Sequence, residues 1–115
     1  MLNRSLILSL KSDTIKSEET SMRYLYVDDK RTPTPNANFV TKSYNAAIMY
    51  LNAMEFDVVD LDYSLDDPNG TGYDLLVYMH EHGIKPGKIV VHSDHSEGRP
   101  KMLAYIRENF EKETS

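Results

Sequence analysis

Three aspartates, a histidine, a serine and two arginines hold most of the chemistry open to this chain of 115 residues. Asp28 and Asp29 follow the apolar run Tyr24-Leu25-Tyr26-Val27, Asp62 follows the run Phe56 to Leu61, and His92 with Ser93 follows Lys88 to Val91. Each polar group thus stands at the exit of a β-rich run. Alone, the pair Asp28-Asp29 reads as the start of a turn; with Asp62 at a second strand end it reads as a site. Carboxylates gathered that closely repel one another and raise each other's pKa values unless a cation sits among them. Mg²⁺, or Mn²⁺ in its place, is the expected ion at Asp28, Asp29 and Asp62. It prefers hard oxygen ligands, retains waters and takes one or two carboxylates beside a phosphate oxygen.

The segment from Ser93 to Lys101 joins a strand end to a helix start and holds Gly98 with the cations Arg99 and Lys101. It reads either as a plain capped loop or as a phosphate site at a helix N-terminus. The loop from Asp66 to Gly72 fails the EF-hand spacing, because Leu65 stands where the first ligand should be and no Glu closes it. His92, Ser93 and His95 have no third nitrogen or sulfur ligand nearby for zinc, and no G-x-S-x-G elbow surrounds the serine. His80 and His82 fall late in a helical pattern, where an imidazolium suits the helix dipole.

The elements that must position these groups follow from periodicity. From Met22 onward, short β-rich runs alternate with helical patterns, the signature of a parallel sheet with crossover helices. Strands are expected over about 23–28, 38–42, 56–61 and 88–92. Pro33 and Pro35 bar a helix between the first two. Ser43 caps a helix to about Met54, with Ala47, Ile48, Leu51 and Met54 facing a core. Thr71 and Asp74 form a capping-box start for a helix ended by Gly83, and a last helix spans Pro100 to Phe110.

If the sheet is doubly wound its order is 2-1-3-4, giving a small α/β three-layer sandwich whose right-handed crossovers place helices on both faces. Ligands of such sheets bind at the carboxyl ends of the strands, and neighbouring ends lie about 5 Å apart. Asp28, Asp29, Asp62, His92 and Ser93 should therefore line one cleft, with Arg31 and Arg99 reaching it as planar phosphate donors.

Composition bounds the rest. With 40% hydrophobic and 27% charged residues, the chain suits one globular domain. It divides into a flexible extension over 1–21, or one in which Leu6 to Leu10 adds an edge strand, and a domain over 22–115. The absence of cysteine removes thiolate catalysis and disulfides and points to a reducing cytoplasm. No apolar run suits a membrane span. A net charge of -5 disfavours duplex DNA and leaves small phosphorylated ligands open.

The order of Asp28-Asp29, Asp62, Gly70 and Ser93 resembles receiver domains of two-component signalling, with a flavodoxin-like fold. That resemblance implies magnesium on the acidic pair, Asp62 as phosphoacceptor and Ser93 against the phosphoryl group. Here the first crossover helix is replaced by the Arg31-Thr32-Pro33 loop, and the strand bearing the receiver lysine is missing. Those departures resemble one branch, the cyclic-phosphate-processing receiver-like domains common in bacteria and phages. Its motifs appear in order: Asp28-Asp29-Lys30-Arg31-Thr32-Pro33, Leu61-Asp62-Tyr63-Ser64-Leu65, Thr71-Gly72-Tyr73-Asp74, and His92-Ser93-Asp94-His95 with Gly98 and Met102. Ser64 stands where the branch has a second aspartate, and His95 where it has asparagine. The resemblance implies a metal-dependent phosphoesterase that processes a cyclic phosphate on a nucleotide or RNA end. In it Asp62 is ligand or nucleophile, His92 a general acid or base, and Arg31, Ser93, Gly98 and Arg99 hold phosphate oxygens. The alternatives are a receiver phosphorylated at Asp62 and a degenerate module, each acting through a protein partner.

Overall fold

Alternation along β1, Tyr24–Val27, sends Leu25 and Val27 to one face of a sheet and Tyr24 and Tyr26 to the other. The structure, a computed structural model, describes residues 22–65 and 67–111. The expected N-terminal extension, with its alternative edge strand, lies outside the described residues. β2 (Phe39–Thr41), β3 (Val58–Leu61) and β4 (Lys88–Val91) complete a four-stranded sheet in the order β2-β1-β3-β4. Every pairing is parallel, and Leu25 registers with Phe39 on one side and Val59 on the other. This is the expected order. β3 begins two residues later than expected, because Asp57 turns out of the apolar run and its carboxylate accepts the Arg23 amide at 2.8 Å.

The helices start where local chemistry places them. α1, Tyr44–Ala53, is capped by Ser43, whose Oγ accepts the Ala46 amide at 3.1 Å. α2, Gly72–Glu81, opens with the expected capping box: Thr71 Oγ1 accepts the Asp74 amide and Asp74 Oδ2 accepts the Thr71 amide. Gly83 leaves α2 at φ +69, a left-handed conformation that glycine adopts without strain. α3, Gly98–Ile106, begins two residues before Pro100 and passes into a π-helical turn over Arg107–Glu111. Its earlier start has a side-chain cause, because His95 Nδ1 accepts the Gly98 amide at 2.8 Å.

Leu25, Val27, Val59 and Leu61 form one core with Ala47 and Leu51 of α1, Leu75, Leu76 and Met79 of α2, and Met102 and Ile106 of α3. All three described helices thus pack on the same sheet face, so the described elements form two layers rather than the expected three, because the one connection directed to the other face carries no helix. Each fully buried leucine contributes about 1.5–3 kcal/mol. The helix-free connection from β1 to β2 is the one that right-handedness directs over the opposite face. That second face bears Tyr24, Tyr26, Val58 and Asp60, of which the last three are buried. Among the described residues no helix is long and apolar enough to cross a membrane.

Candidate functional site

Extension of the parallel ladder past the strand ends brings the polar residues together. The amide of Asp28 donates to the Thr41 carbonyl at 3.1 Å, that of Asp62 to Val27 at 3.0 Å, and that of His92 to Leu61 at 3.0 Å. Three residues from distant parts of the chain are thereby fixed side by side at the carboxyl edge. Asp28 then shapes the turn leaving β1: its Oδ1 accepts the amides of Lys30 at 2.8 Å and Arg31 at 3.2 Å. Asp62 Oδ1 accepts the amide of Tyr63 at 2.8 Å. Gly72 packs so closely on the Asp62 carbonyl that any Cβ there would collide with it, and its amide donates to Tyr63 O at 2.8 Å. The start of α2 and the position of Asp62 are therefore one structural unit.

Behind this edge runs a polar chain on the second face of the sheet. Tyr24 Oη donates to Asp60 Oδ2 at 2.5 Å, Asp60 Oδ1 holds His92 Nδ1, and His92 Nε2 meets Asp28 Oδ2 at 2.8 Å. The imidazole lies flat on Tyr26, with centroids 4.6 Å apart and planes inclined by 4°. Burial by itself would lower the His92 pKa, but hydrogen bonds and charges from Asp60 and Asp28 raise it above the ordinary histidine value. Burial by itself would raise Asp28, yet the amides of Lys30 and Arg31 together with His92 hold it below the usual carboxylate value. Burial, then the bond to Asp60, pushes the Tyr24 phenol up to about 12, so it remains a donor.

The cleft in front of this chain has a volume of about 270 Å³ and is lined by Asp28, Asp29, Lys30, Arg31, Asp62, Ser64, Ser93, Asp94 and His95. The Arg31 guanidinium donates to the His92 carbonyl and pairs with Asp94 at 3.0 Å, which aims it across the opening. Ser93 is buried, and its Oγ accepts the His95 amide at 3.1 Å. His92, Gly98 and Arg99, all expected at the cleft, are not among the lining residues: His92 is held behind it by Asp60 and Asp28, the Gly98 amide is taken by His95 Nδ1 and the Arg99 amide by the His95 carbonyl at 3.0 Å. His95 thus supplies the side-chain acceptor that an asparagine would offer a helix start.

The donor set fits a divalent cation. Asp28, Asp62 and His92 each offer one ligand atom within 4.8 Å of the others, and Asp29 Oδ1 is buried with no hydrogen-bond partner. An orphaned carboxylate oxygen beside two further acids is the arrangement that an ion would relieve. Tyr24 and Asp60 were not among the expected site residues. Their one sequence signal is Asp60 itself, a charge inside an otherwise apolar central strand, which must find a buried partner.

The family model described as "Cyclic-phosphate processing Receiver domain" matches residues 23–108. Neither a curated protein nor a solved structure gives a match. The matched span runs from the residue before β1 into the π-helical turn and includes every residue lining the cleft. The chain therefore belongs to the cyclic-phosphate processing receiver family.

Proposed function

We propose that the cleft takes the cyclic phosphate of a nucleotide or an RNA end and opens it to a monoester, with Mg²⁺ or Mn²⁺ held by Asp28, Asp29 and Asp62. The observation that supports this reading best is the meeting of three acids with the Arg31 guanidinium and Ser93 in one cleft at the sheet's carboxyl edge. The ion, when bound, would neutralise phosphoryl oxygens; the chain's own part is to orient and neutralise the ring. Arg31 offers a planar pair of donors to the phosphate, and Ser93 adds a hydroxyl. Asp62 would attack phosphorus or bind the ion. His92 is engaged at both nitrogens and serves the site through Asp28 rather than by exchanging protons with substrate. In the net reaction water adds across one P–O bond of the ring, and the oxygen that leaves departs as a hydroxyl.

The test is a screen of cyclic nucleoside monophosphates and cyclic-phosphate-terminated RNA with the full chain and either ion, followed by phosphorus NMR. Ring opening is expected, with Asp62→Asn and Arg31→Ala each slower by about a hundredfold. Intact rings across the whole screen would sink the proposal.

A further inference from the structure

The polar chain behind the cleft has the form of a metal site's supporting shell. A metal-bound histidine donates its other ring N–H to a carboxylate, which fixes the tautomer and aims the ligating nitrogen. Here Asp60 holds Nδ1 of His92, Tyr24 Oη holds the second oxygen of Asp60, and the ring is stacked on Tyr26. The imidazole is therefore fixed in position and in plane. Its remaining nitrogen, Nε2, faces Asp28 Oδ2 at 2.8 Å, and a ligand atom of His92 lies within 4.8 Å of one from Asp28 and one from Asp62. Two donors on one small ion are at most about 4.2 Å apart, so this group needs to close by only a fraction of an ångström.

We propose that His92 is a nitrogen ligand to the ion of this cleft, completing an Asp28–Asp62–His92 set that favours a first-row transition ion over Mg²⁺. The inference rests on the metal reading given above and narrows it to a chemical class. Magnesium takes oxygen ligands, whereas imidazole suits ions such as Co²⁺ and Zn²⁺. An ion arriving at Nε2 replaces the proton shared with Asp28 Oδ2; that proton leaves to solvent and the freed carboxylate oxygen turns to the same ion. Asp60 is then a positioning residue, acting on the ion through His92.

Two measurements on the full chain test this. In long-range proton–nitrogen NMR of the metal-free protein titrated with Zn²⁺, Nε2 of His92 should move to a metal-bound shift while Nδ1 keeps its proton; this needs no variant that might fail to fold. His92→Gln identifies the resonance among the four histidines. In calorimetry with Mg²⁺, Co²⁺ and Zn²⁺, oxygen-only sites also rank transition ions above magnesium, so the diagnostic quantity is the change on mutation. His92→Gln should weaken Co²⁺ and Zn²⁺ by about a hundredfold and Mg²⁺ by less than about threefold, and Asp60→Asn should weaken Co²⁺ by about 10–100-fold. Zinc binding with the His92 nitrogens unmoved, or Co²⁺ and Zn²⁺ affinities that His92→Gln leaves unchanged, overturns the inference and leaves an all-oxygen site standing. Failure of all three ions to bind the wild-type chain overturns both this inference and the metal reading beneath it.

Discussion

Asp62 and His92 exert opposite demands on their surroundings, and each yields a measurable consequence. Asp62 lines the cleft beside Asp28 and Asp29, so Asp62→Asn removes charge from the group that would hold an ion. Mg²⁺ or Mn²⁺ affinity measured by calorimetry should fall at least about tenfold, or about 1.4 kcal/mol. Unchanged affinity would show that the acids do not share one ion. His92 should contribute to the pH dependence of the metal-free fold at its alkaline side. Its pKa is raised, so its stabilising contribution is complete below the unfolded value of about 6.5 and is lost as pH rises through the folded value. Asp28 is lowered, so its contribution is present above the unfolded value of about 3.9 and is lost as pH falls through the folded value. With metal chelated, thermal melts should show greater stability near pH 6 than near pH 9. In His92→Gln that alkaline loss should shrink; an equal loss in both proteins would show that the imidazolium does not support the fold.

Among the elements, the start of α2 separates stability from site geometry. Thr71→Ala removes one side of the capping box, a loss of about 1 kcal/mol that should lower Tm by about 5 °C. It touches nothing in the cleft, so metal affinity should be retained. One residue on, Gly72→Ala forces a Cβ into the Asp62 carbonyl, a backbone atom that cannot swing aside. Overpacking of this kind costs about 1–3 kcal/mol. Because the displaced group belongs to Asp62, calorimetry should show weakened metal binding along with the lower Tm. Equal metal affinity in the two variants would show that α2 does not position Asp62.

For the whole molecule, all three described helices pack on one sheet face, and the candidate site lies at the carboxyl edge, where β1, β3 and β4 end side by side. The cleft there is acidic with one arginine aimed across it, and the chain has a net charge of -5. A phosphoryl donor therefore gives a clean contrast between enzyme and switch. Incubated with acetyl phosphate and Mg²⁺, the protein should show no stable mass gain in intact mass spectrometry. A gain of one phosphoryl group mapping to Asp62 would favour the receiver that signals through a partner.

Much of this architecture is local, and local features are legible in a sequence. Ser43, Thr71 with Asp74, and Gly83 act on backbone within a few residues of themselves, so the helix boundaries they set are observed where expected. The apolar runs ending at Asp28, Asp62 and His92 likewise mark the strands, and the order that a doubly wound sheet would give them is the one observed, with those residues meeting at one edge. What tertiary structure decided are partners that no spacing encodes. His92 reaches Asp60 across 32 residues and Asp28 across 64, through a register that pairs Asp60 with Tyr26 and places both on the face away from the helices. Alternation shows that Asp60 and Tyr26 each lie on a particular side of a strand, but only the assembled sheet shows that the two sides coincide. The start of α3 was hidden for the same reason, since a histidine became the acceptor for a helix amide only once the loop had folded His95 back onto Gly98.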